Sequence, residues 1–194
     1  LTDNHGYMSD STAVIYGDDV NTLDGPEVNY SYEMIQLSQG SNNNLTLYPV
    51  EFPVSERAGL LTLPSVLAVG AYAVHPAPIL RGIRLLERLA CQHFAPPPPG
   101  AEALVPADTN EAEGTNRQRT EAVTSSPMCA VCHQTLNPPG FAFEHYDAMG
   151  RFRTEDNGEA VDASGSFTLE SGEVFSFQDG VELSYQLAES TQVQ

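Results

Sequence analysis

Apolar and polar positions follow a helical period in one stretch of the chain, residues 57–93. The segment "RAGLLTLPSVLAVGAYA" is apolar, and Pro64 stands where the first turn of its main helix would begin. The segment "ILRGIRLLERLACQHF" places Ile79, Ile83 and Leu86 on one face, with arginines and a glutamate largely opposite. This 3.6-residue period predicts an amphipathic helix. The run "APPPPG" ends it, because consecutive prolines favour an extended, polyproline-like strap.

The flanking regions have shorter patterns. Residues 1–56 are rich in turn formers, with one short helix predicted in "DSTAVIYG" and two strands in "NYSYEMIQLSQGSNNNLTLYPVEF", separated by its polar centre. Residues 100–116 are small, polar and acidic, which is typical of a surface linker. A short helix is predicted in "RQRTEAVTSS". Further on, short strands with turns at "DNGE" and "ESGE" precede a closing helix in "DGVELSYQLAESTQ".

These patterns predict a mainly α protein with a small β-hairpin region and many loops. We divide it into a loop-rich segment 1–56, a helical pair with its polyproline strap at 57–99, and a third part at 100–194 that ends in the hairpin and closing helix. The three parts are expected to form one compact unit. Since the chain opens without Met, we expect it to be a processed form or part of a longer polypeptide.

Charge narrows the range of partners. The chain has 26 acidic residues against 8 basic ones, all of them Arg, and a net charge of −18. Such a surface repels phosphates, so we expect no nucleic-acid partner. No stretch approaches 18 uninterrupted apolar residues, so we expect no membrane span. The acidity fits either solubility in a salty or extracellular medium or steering toward a basic partner, and composition does not separate the two.

Two of the three cysteines stand directly before a histidine in "CAVCH". A structural zinc ion needs about four ligands, and Cys129, Cys132 and His133 supply at most three. A thioredoxin-like dithiol needs a strand before it, and "AVTSSPM" is a poor buried strand. Covalent haem attachment uses this spacing, because one helical turn carries both sulfurs to the porphyrin vinyl groups and the histidine to its iron. The sequence favours one covalent haem c, with zinc or a dithiol or structural pair as alternatives.

The surrounding order of motifs resembles a bacterial family. "RAGLLTLPSVL", "HPAPILRGIRLLERLACQHFAPPPP" and "CAVCHQTLNPPGFAFEHYDAMGRFRTEDNGEAVDASGSF" are similar to the uncharacterised domains of planctomycete- and myxobacterium-type cytochrome-c proteins, over about residues 55–170. The resemblance implies an exported haem-bearing domain and no particular reaction. It also implies a longer protein with a further Cys-bearing helix after "YQLAESTQVQ", which would account for the unpaired Cys91.

The second axial ligand of the iron is left open by the sequence. Electron-transfer cytochromes commonly use Met or His there. Met149 lies 16 residues beyond His133, after a predicted turn through "NPPG", and is our first candidate. His75, His93, His145 or an open position are the alternatives.

Aromatic and basic residues near the motif are candidates for contacts with the porphyrin. Phe141, Phe143 and Tyr146 are expected to line the haem edge or the adjacent core, where solvent exclusion raises the reduction potential. A guanidinium binds a propionate bidentately, so Arg151 is a candidate partner, with Arg57, Arg81 and Arg153 as others.

Three functions remain for such a chain. The first is a single-electron carrier in the periplasm or outside the bacterial cell, exchanging electrons with another redox protein or with other parts of a longer parent polypeptide. The second is the haem domain of a larger exported oxidoreductase or a peroxidase-like enzyme, so whether it is a catalyst is uncertain. The third is an extracellular structural module stapled by haem or zinc. The export expectation rests on thioether attachment occurring after export.

Overall fold

The computed structural model describes residues 1–16, 21–25, 28–31, 44–99 and 113–193. The chain divides into two compact units, one formed by Asp3–Arg57 and the other by Leu1–Thr2 with Ala58–Gln194. Most of the predicted linker, residues 100–112, lies outside the described residues. None of the helices in the described ranges combines the length and the apolar character that crossing a bilayer requires.

The smaller unit is built on one long strand. Strand β4 (Asn44–Glu51) pairs antiparallel with β1 (His5–Met8), β2 (Asn21–Thr22) and β3 (Val28–Ser31). Helix α1 (Asp10–Tyr16) follows β1, as predicted for this stretch. Met8, Val50 and Phe52 are buried and form the apolar interior that the sheet positions.

Both strands predicted between residues 29 and 52 are present, as β3 and β4. The polar break predicted between them, residues 32–43, lies outside the described residues. The unit thus carries a four-stranded sheet, in a region where the turn-forming residues had predicted mostly loop.

The larger unit begins with helices. A 3-10 helix (Leu60–Thr62) leads into α2 (Pro64–Val69), which has Pro64 at its first position as predicted. Helix α3 (Pro78–Arg88) is the predicted amphipathic helix. Helix α4 (Asn116–Thr124) starts with a capping box in which Thr115 and Gln118 satisfy each other's backbone N–H groups. Helix α5 (Pro127–Phe141) carries the "CAVCH" segment.

Two hairpins and a closing helix complete this unit. Strands β5 (Glu155–Asp156) and β6 (Glu159–Ala160) form the first, and β7 (Gly165–Thr168) and β8 (Val174–Phe177) form the second. Their turns use the predicted "NG" and "SG" pairs, and Gly158 and Gly172 have the positive φ angles that such turns require. Helix α6 (Gly180–Glu189) begins where predicted, with the Asp179 carboxylate accepting from Glu182 N at 2.8 Å.

One core joins these elements. It is formed by apolar side chains of α2, α3, the end of α5, the second hairpin and α6, including Leu67, Leu86, Phe143, Phe177 and Leu183. Helices α3 and α5 cross at Gly82 and Gly140, and a Cβ at either glycine would overlap backbone of the other helix. The molecule is therefore a mixture of helices and small antiparallel sheets, in place of the mainly α protein that the sequence predicted.

Candidate functional site

The "CAVCH" segment occupies the first half of α5. The Ser126 hydroxyl caps the helix by accepting from Cys129 N at 3.4 Å, and Pro127 occupies the first helical position. Residues three and four positions apart share one side of a helix. Cys132 and His133 therefore lie on the same side of α5 as Cys129, one turn further along.

The two cysteines of this segment are accessible thiols. Cys129 is half-buried and Cys132 is exposed, and neither is in a disulfide. Cys91, the third cysteine, is also a free thiol, held at a positive φ of 54° just beyond α3. Among the described residues, no three His, Cys, Asp or Glu side chains are grouped as ligands of one metal ion.

Large apolar side chains next to these thiols face solvent. Met128 is 80% exposed and Val131 is 69% exposed, both within the same two turns of α5. Single exposed apolar residues are ordinary, and these two lie three residues apart on the same helix, beside both thiols. The first half of α5 therefore presents an apolar, thiol-bearing surface, which we call the α5 face (Met128, Cys129, Val131, Cys132).

The imidazole of His133 is held by a short chain of hydrogen bonds. Its Nδ1 lies 2.9 Å from Asn137 Oδ1, one turn later on α5. Asn137 Nδ2 donates to Thr124 Oγ1 at 2.9 Å, and Thr124 Oγ1 donates to the Thr120 carbonyl at 2.7 Å. Asn137, Thr124 and Thr120 are all buried, so water does not compete for these bonds.

With the Asn137 amide in this orientation, the chain of bonds specifies the tautomer of His133. A carbonyl oxygen only accepts, so the Thr124 hydroxyl proton points at Thr120 and its oxygen accepts from the Asn137 amide. The Asn137 oxygen then faces His133, and Nδ1 must carry the proton it donates. The lone pair is left on Nε2, the atom with which a neutral imidazole binds a metal while its other nitrogen donates to the protein.

The four candidate distal ligands have different surroundings. Met149 is 43% exposed, and its backbone N–H donates to Asp147 Oδ1 at 2.8 Å. His145 Nδ1 donates to the Arg153 carbonyl at 2.9 Å, and its ring stacks on Phe152 with centroids 5.3 Å apart. His75 Nδ1 donates to the Pro76 carbonyl at 3.0 Å, and His93 is exposed between α3 and the strap. No described contact joins one of them to His133, so the choice among them stays a prediction.

The "NPPG" segment differs from its prediction. It was predicted to be a turn, but α5 continues through Pro138 and Pro139 to Phe141. Packing overrides the local preference here, because Gly140 lies against the backbone of Pro78 and Gly82 on α3. The route by which Met149 was expected to return toward His133 is therefore not the predicted one.

The aromatic candidates lie in the protein core. Phe141, Phe143 and Tyr146 are each no more than 3% exposed. The Arg117 guanidinium lies over the Phe141 ring, 4.7 Å from its centroid. The ring centroids of Phe143 and Tyr146 are 6.5 Å apart, and both residues belong to the shared core. Of the two positions expected for these rings, haem edge or adjacent core, the described contacts are those of core residues.

The arginines predicted near a propionate have partners within the chain. Arg151 Nε donates to Asp147 Oδ2 at 2.6 Å, on the surface. Arg81 is buried and donates to four backbone carbonyls, those of Leu67, Phe143, Tyr146 and Asp147. Burial lowers the pKa of Arg81 to about 10, against the opposing effect of the Glu144 carboxylate. Arg81 therefore acts as a brace for the segment after α5.

A buried carboxyl group, that of Glu144, lies against the same segment. Glu144 is 2% exposed and accepts from Asn116 Nδ2 with both oxygens, at 3.0 and 3.1 Å. Arg153 Nη2 lies 3.3 Å from one of them. Burial raises the pKa of Glu144, and the guanidiniums of Arg153 and Arg81 act in the opposite direction. This cluster ties α4 to the loop that follows α5.

Asn137 and Thr124 are the site residues that sequence reasoning did not find. Asn137 was treated only as the first letter of a turn, although it lies four residues after His133, the spacing of a helical hydrogen-bonding pair. Thr124 gives a weaker signal, because its role depends on how α4 packs against α5.

Comparison with known proteins gives one match. The model of the PSCyt3 family, a "protein of unknown function (DUF1588)", matches residues 57–156, just over half of the 194 residues. The matched range runs from just before the 3-10 helix to the end of β5 and includes Cys129, Cys132, His133 and Asn137. Neither the curated proteins nor the solved structures contain a match to this chain.

Proposed function

The chain belongs to the PSCyt3 family of proteins of unknown function (DUF1588), and from that premise we propose that it carries one covalent haem c and transfers single electrons. Cys129 and Cys132 would hold the porphyrin as thioethers, and His133 would be the proximal ligand of the iron. The iron supplies one-electron exchange between its ferrous and ferric states.

The chain of hydrogen bonds behind His133 is the observation that carries the proposal. The bonds through Asn137 and Thr124 to the Thr120 carbonyl place the proton on Nδ1 and the lone pair on Nε2. A histidine on a helix surface has no structural need for a buried relay of this kind. A histidine that binds a metal does need one, because such a chain of hydrogen bonds orients the ring and increases the basicity of the coordinating nitrogen.

The α5 face supports the same proposal from a second direction. Exposed Met128 and Val131 flank two free thiols and are costly to leave in water, at about 25 cal/mol per Å² of apolar surface. A flat apolar group attached through the two sulfurs would cover them. Ala130 and Val131, the residues between the cysteines, are small enough to allow that approach.

The position opposite His133 belongs to the proposal only as a set of candidates. Met149 is held on a surface turn, because Asp147 accepts from the N–H groups of both Met149 and Arg151. His75, His93 and His145 are the alternatives, together with an open position.

Export and partners follow from the same chemistry. Thioether attachment takes place after export, so we place the protein in the periplasm or outside the cell. A net charge of −18 would steer it toward a redox partner with a basic docking face, or toward another part of a longer parent polypeptide.

Haem attachment is tested in a bacterial host that matures c-type cytochromes in its periplasm. We expect the purified chain to give a pyridine haemochrome spectrum typical of two thioether bonds. Cys129→Ala and Cys132→Ala should each give the spectrum of a single thioether, and His133→Ala should lose the native Soret band. Cys91→Ser is the matched control, because Cys91 is also a free thiol. Equal spectra from the Cys91 and Cys132 variants would contradict the assignment.

Electron transfer is tested separately on the haem-loaded chain. A carrier should give a reversible one-electron wave in protein-film voltammetry and should not bind carbon monoxide in its ferrous state. Rapid carbon monoxide binding would indicate an open position and the enzyme alternative. Met149→Leu separates Met149 from the other distal candidates. The variant should lose the sulfur-to-iron charge-transfer band only if Met149 is the ligand.

A further inference from the structure

A second feature of the larger unit lies apart from the α5 face. The 3-10 helix, α2 and α3 enclose an open cavity of about 460 Å³. Its walls are mostly apolar and include Leu61, Leu67, Ile83 and Leu89, with Phe143 from the segment after α5. Leu60, Val66 and Leu80 line it with side chains that are between 38% and 49% exposed. A concave apolar cavity of this size is typical of small-molecule sites.

The charges at this cavity are unusual for the chain. All eight arginines lie within the described residues, and six of them contact acceptors or aromatic rings of the protein. The other two, Arg84 and Arg88, have no hydrogen bond or ion pair with any described residue, although the chain has 26 acidic residues. Both line the cavity.

Without a bound ligand, the spacing of these two arginines destabilises α3 by repulsion between like charges. Arg84 and Arg88 are four residues apart on α3, and like charges at that spacing destabilise a helix by a few tenths of a kcal/mol. Among the described residues that line the cavity, Glu87 is the one carboxylate, and no ion pair joins it to either arginine. With Arg81 also in the lining, the cavity combines apolar walls with a net positive charge.

We propose that this cavity binds an amphiphilic carboxylate, a molecule with one anionic head and an apolar tail of fatty-acid size. The tail fills the apolar cavity, and Arg84 and Arg88 bind the carboxylate at its rim. A guanidinium suits this role because it donates two parallel hydrogen bonds to a carboxylate. The proposal does not depend on haem attachment, because the described residues that line the cavity include none of α5.

Isothermal titration calorimetry with dodecanoate tests the binding. We expect saturable one-to-one binding of dodecanoate and at least tenfold weaker binding of dodecyltrimethylammonium and of 1-dodecanol. Arg84→Gln and Arg88→Gln should each weaken dodecanoate binding about three- to fivefold, the range for exposed ion pairs. Arg119→Gln removes the same charge outside the cavity and should leave the affinity unchanged. Val66→Trp should abolish binding by filling the cavity.

Three results would overturn the proposal. They are no binding of dodecanoate, equal binding of the cationic or neutral analogue, and equal weakening by the Arg84 and Arg119 variants. The titration is run on both the haem-free and the haem-loaded chain. Binding of dodecanoate to the haem-free chain alone would indicate that the porphyrin occupies the cavity, and it would also contradict the proposal.

Discussion

Asn137 is the residue on which the proposed role of His133 depends most. Its side chain joins two helices, accepting from His133 on α5 and donating to Thr124 on α4. The sequence identified Cys129, Cys132 and His133 because their spacing is fixed by the chemistry of attachment. It could not identify Asn137 or Thr124 in the same way, because their roles depend on packing that no local pattern encodes.

Substituting Asn137 should shift the reduction potential of the haem-loaded chain. Asn137→Asp places a carboxylate beside His133 Nδ1. The imidazole then donates more electron density to the iron, which should lower the reduction potential. Asn137→Leu removes the acceptor and should raise it. The scale is about 60 mV for each tenfold change in the relative affinity of the two oxidation states. Gln134→Leu on the exposed side of α5 is the control. If the reduction potential shifted in the same direction in both Asn137 variants, the proposed role of this chain of hydrogen bonds would be contradicted.

Glu144 gives a prediction about pH. Its folded pKa is raised by burial, so the folded state holds this proton more tightly than the unfolded state. Stability at this residue is therefore greatest below the ordinary glutamate pKa of about 4.3 and is lost as pH rises through the raised value. Arg153 and Arg81 oppose this effect, and Asp156 adds to it.

Glu144→Gln removes this titration. Relative to the original chain, the variant should become more stable to unfolding, with a larger free energy of unfolding, as pH rises from 4 into the neutral range. Urea unfolding at a series of pH values measures it, with exposed Glu121→Gln as the control. A difference that moves the other way would mean that Arg153 dominates and that the pKa of Glu144 is lowered.

At the scale of elements, periodicity predicted α3, turn-forming pairs predicted the two hairpin turns, and Asp179 predicted the start of α6. Each of these elements is specified by its own residues. The path of α5 through Pro138 and Pro139 could not be predicted. Both prolines lack the N–H that a helix uses, and the sequence therefore favoured a turn. The helix continues because Gly140 brings it into backbone contact with α3.

The α3–α5 crossing is tested by adding one methyl group. In Gly82→Ala, the new Cβ would overlap the Leu136 carbonyl, and in Gly140→Ala it would overlap the Pro78 carbonyl. Each variant should lose about 2 kcal/mol or more of unfolding free energy, although alanine favours helix by about 1 kcal/mol. Ser65→Ala, at an exposed position of α2, is the control for a small residue in a helix. Stability equal to that of the control would show that the helices are further apart.

At the scale of the whole molecule, charge is the dominant property. Most of the eight arginines bind groups within the chain, and the 26 acidic residues leave a net charge of −18. The mutual repulsion of these carboxylates destabilises the compact state. The sequence gives this charge directly, but it could not show that Arg84 and Arg88 are left at one cavity.

Salt should therefore stabilise the protein. Raising NaCl from about 10 mM to about 300 mM shortens the Debye length from about 30 Å to less than 8 Å and screens the repulsion. The thermal unfolding midpoint should rise over this range, as measured by circular dichroism. Sucrose serves as the uncharged control, because it adds no ions and leaves the Debye length unchanged. A midpoint that falls with NaCl would show that the internal ion pairs outweigh the net repulsion.

The mass of the intact, denatured chain decides whether porphyrin is bonded to it. The chain is purified from a host that matures c-type cytochromes and is analysed by electrospray mass spectrometry after acid-acetone extraction. We predict the polypeptide mass plus one haem, and the polypeptide mass alone for the Cys129→Ala/Cys132→Ala double variant. An unmodified mass for the original chain, with both thiols open to iodoacetamide, would contradict the haem assignment.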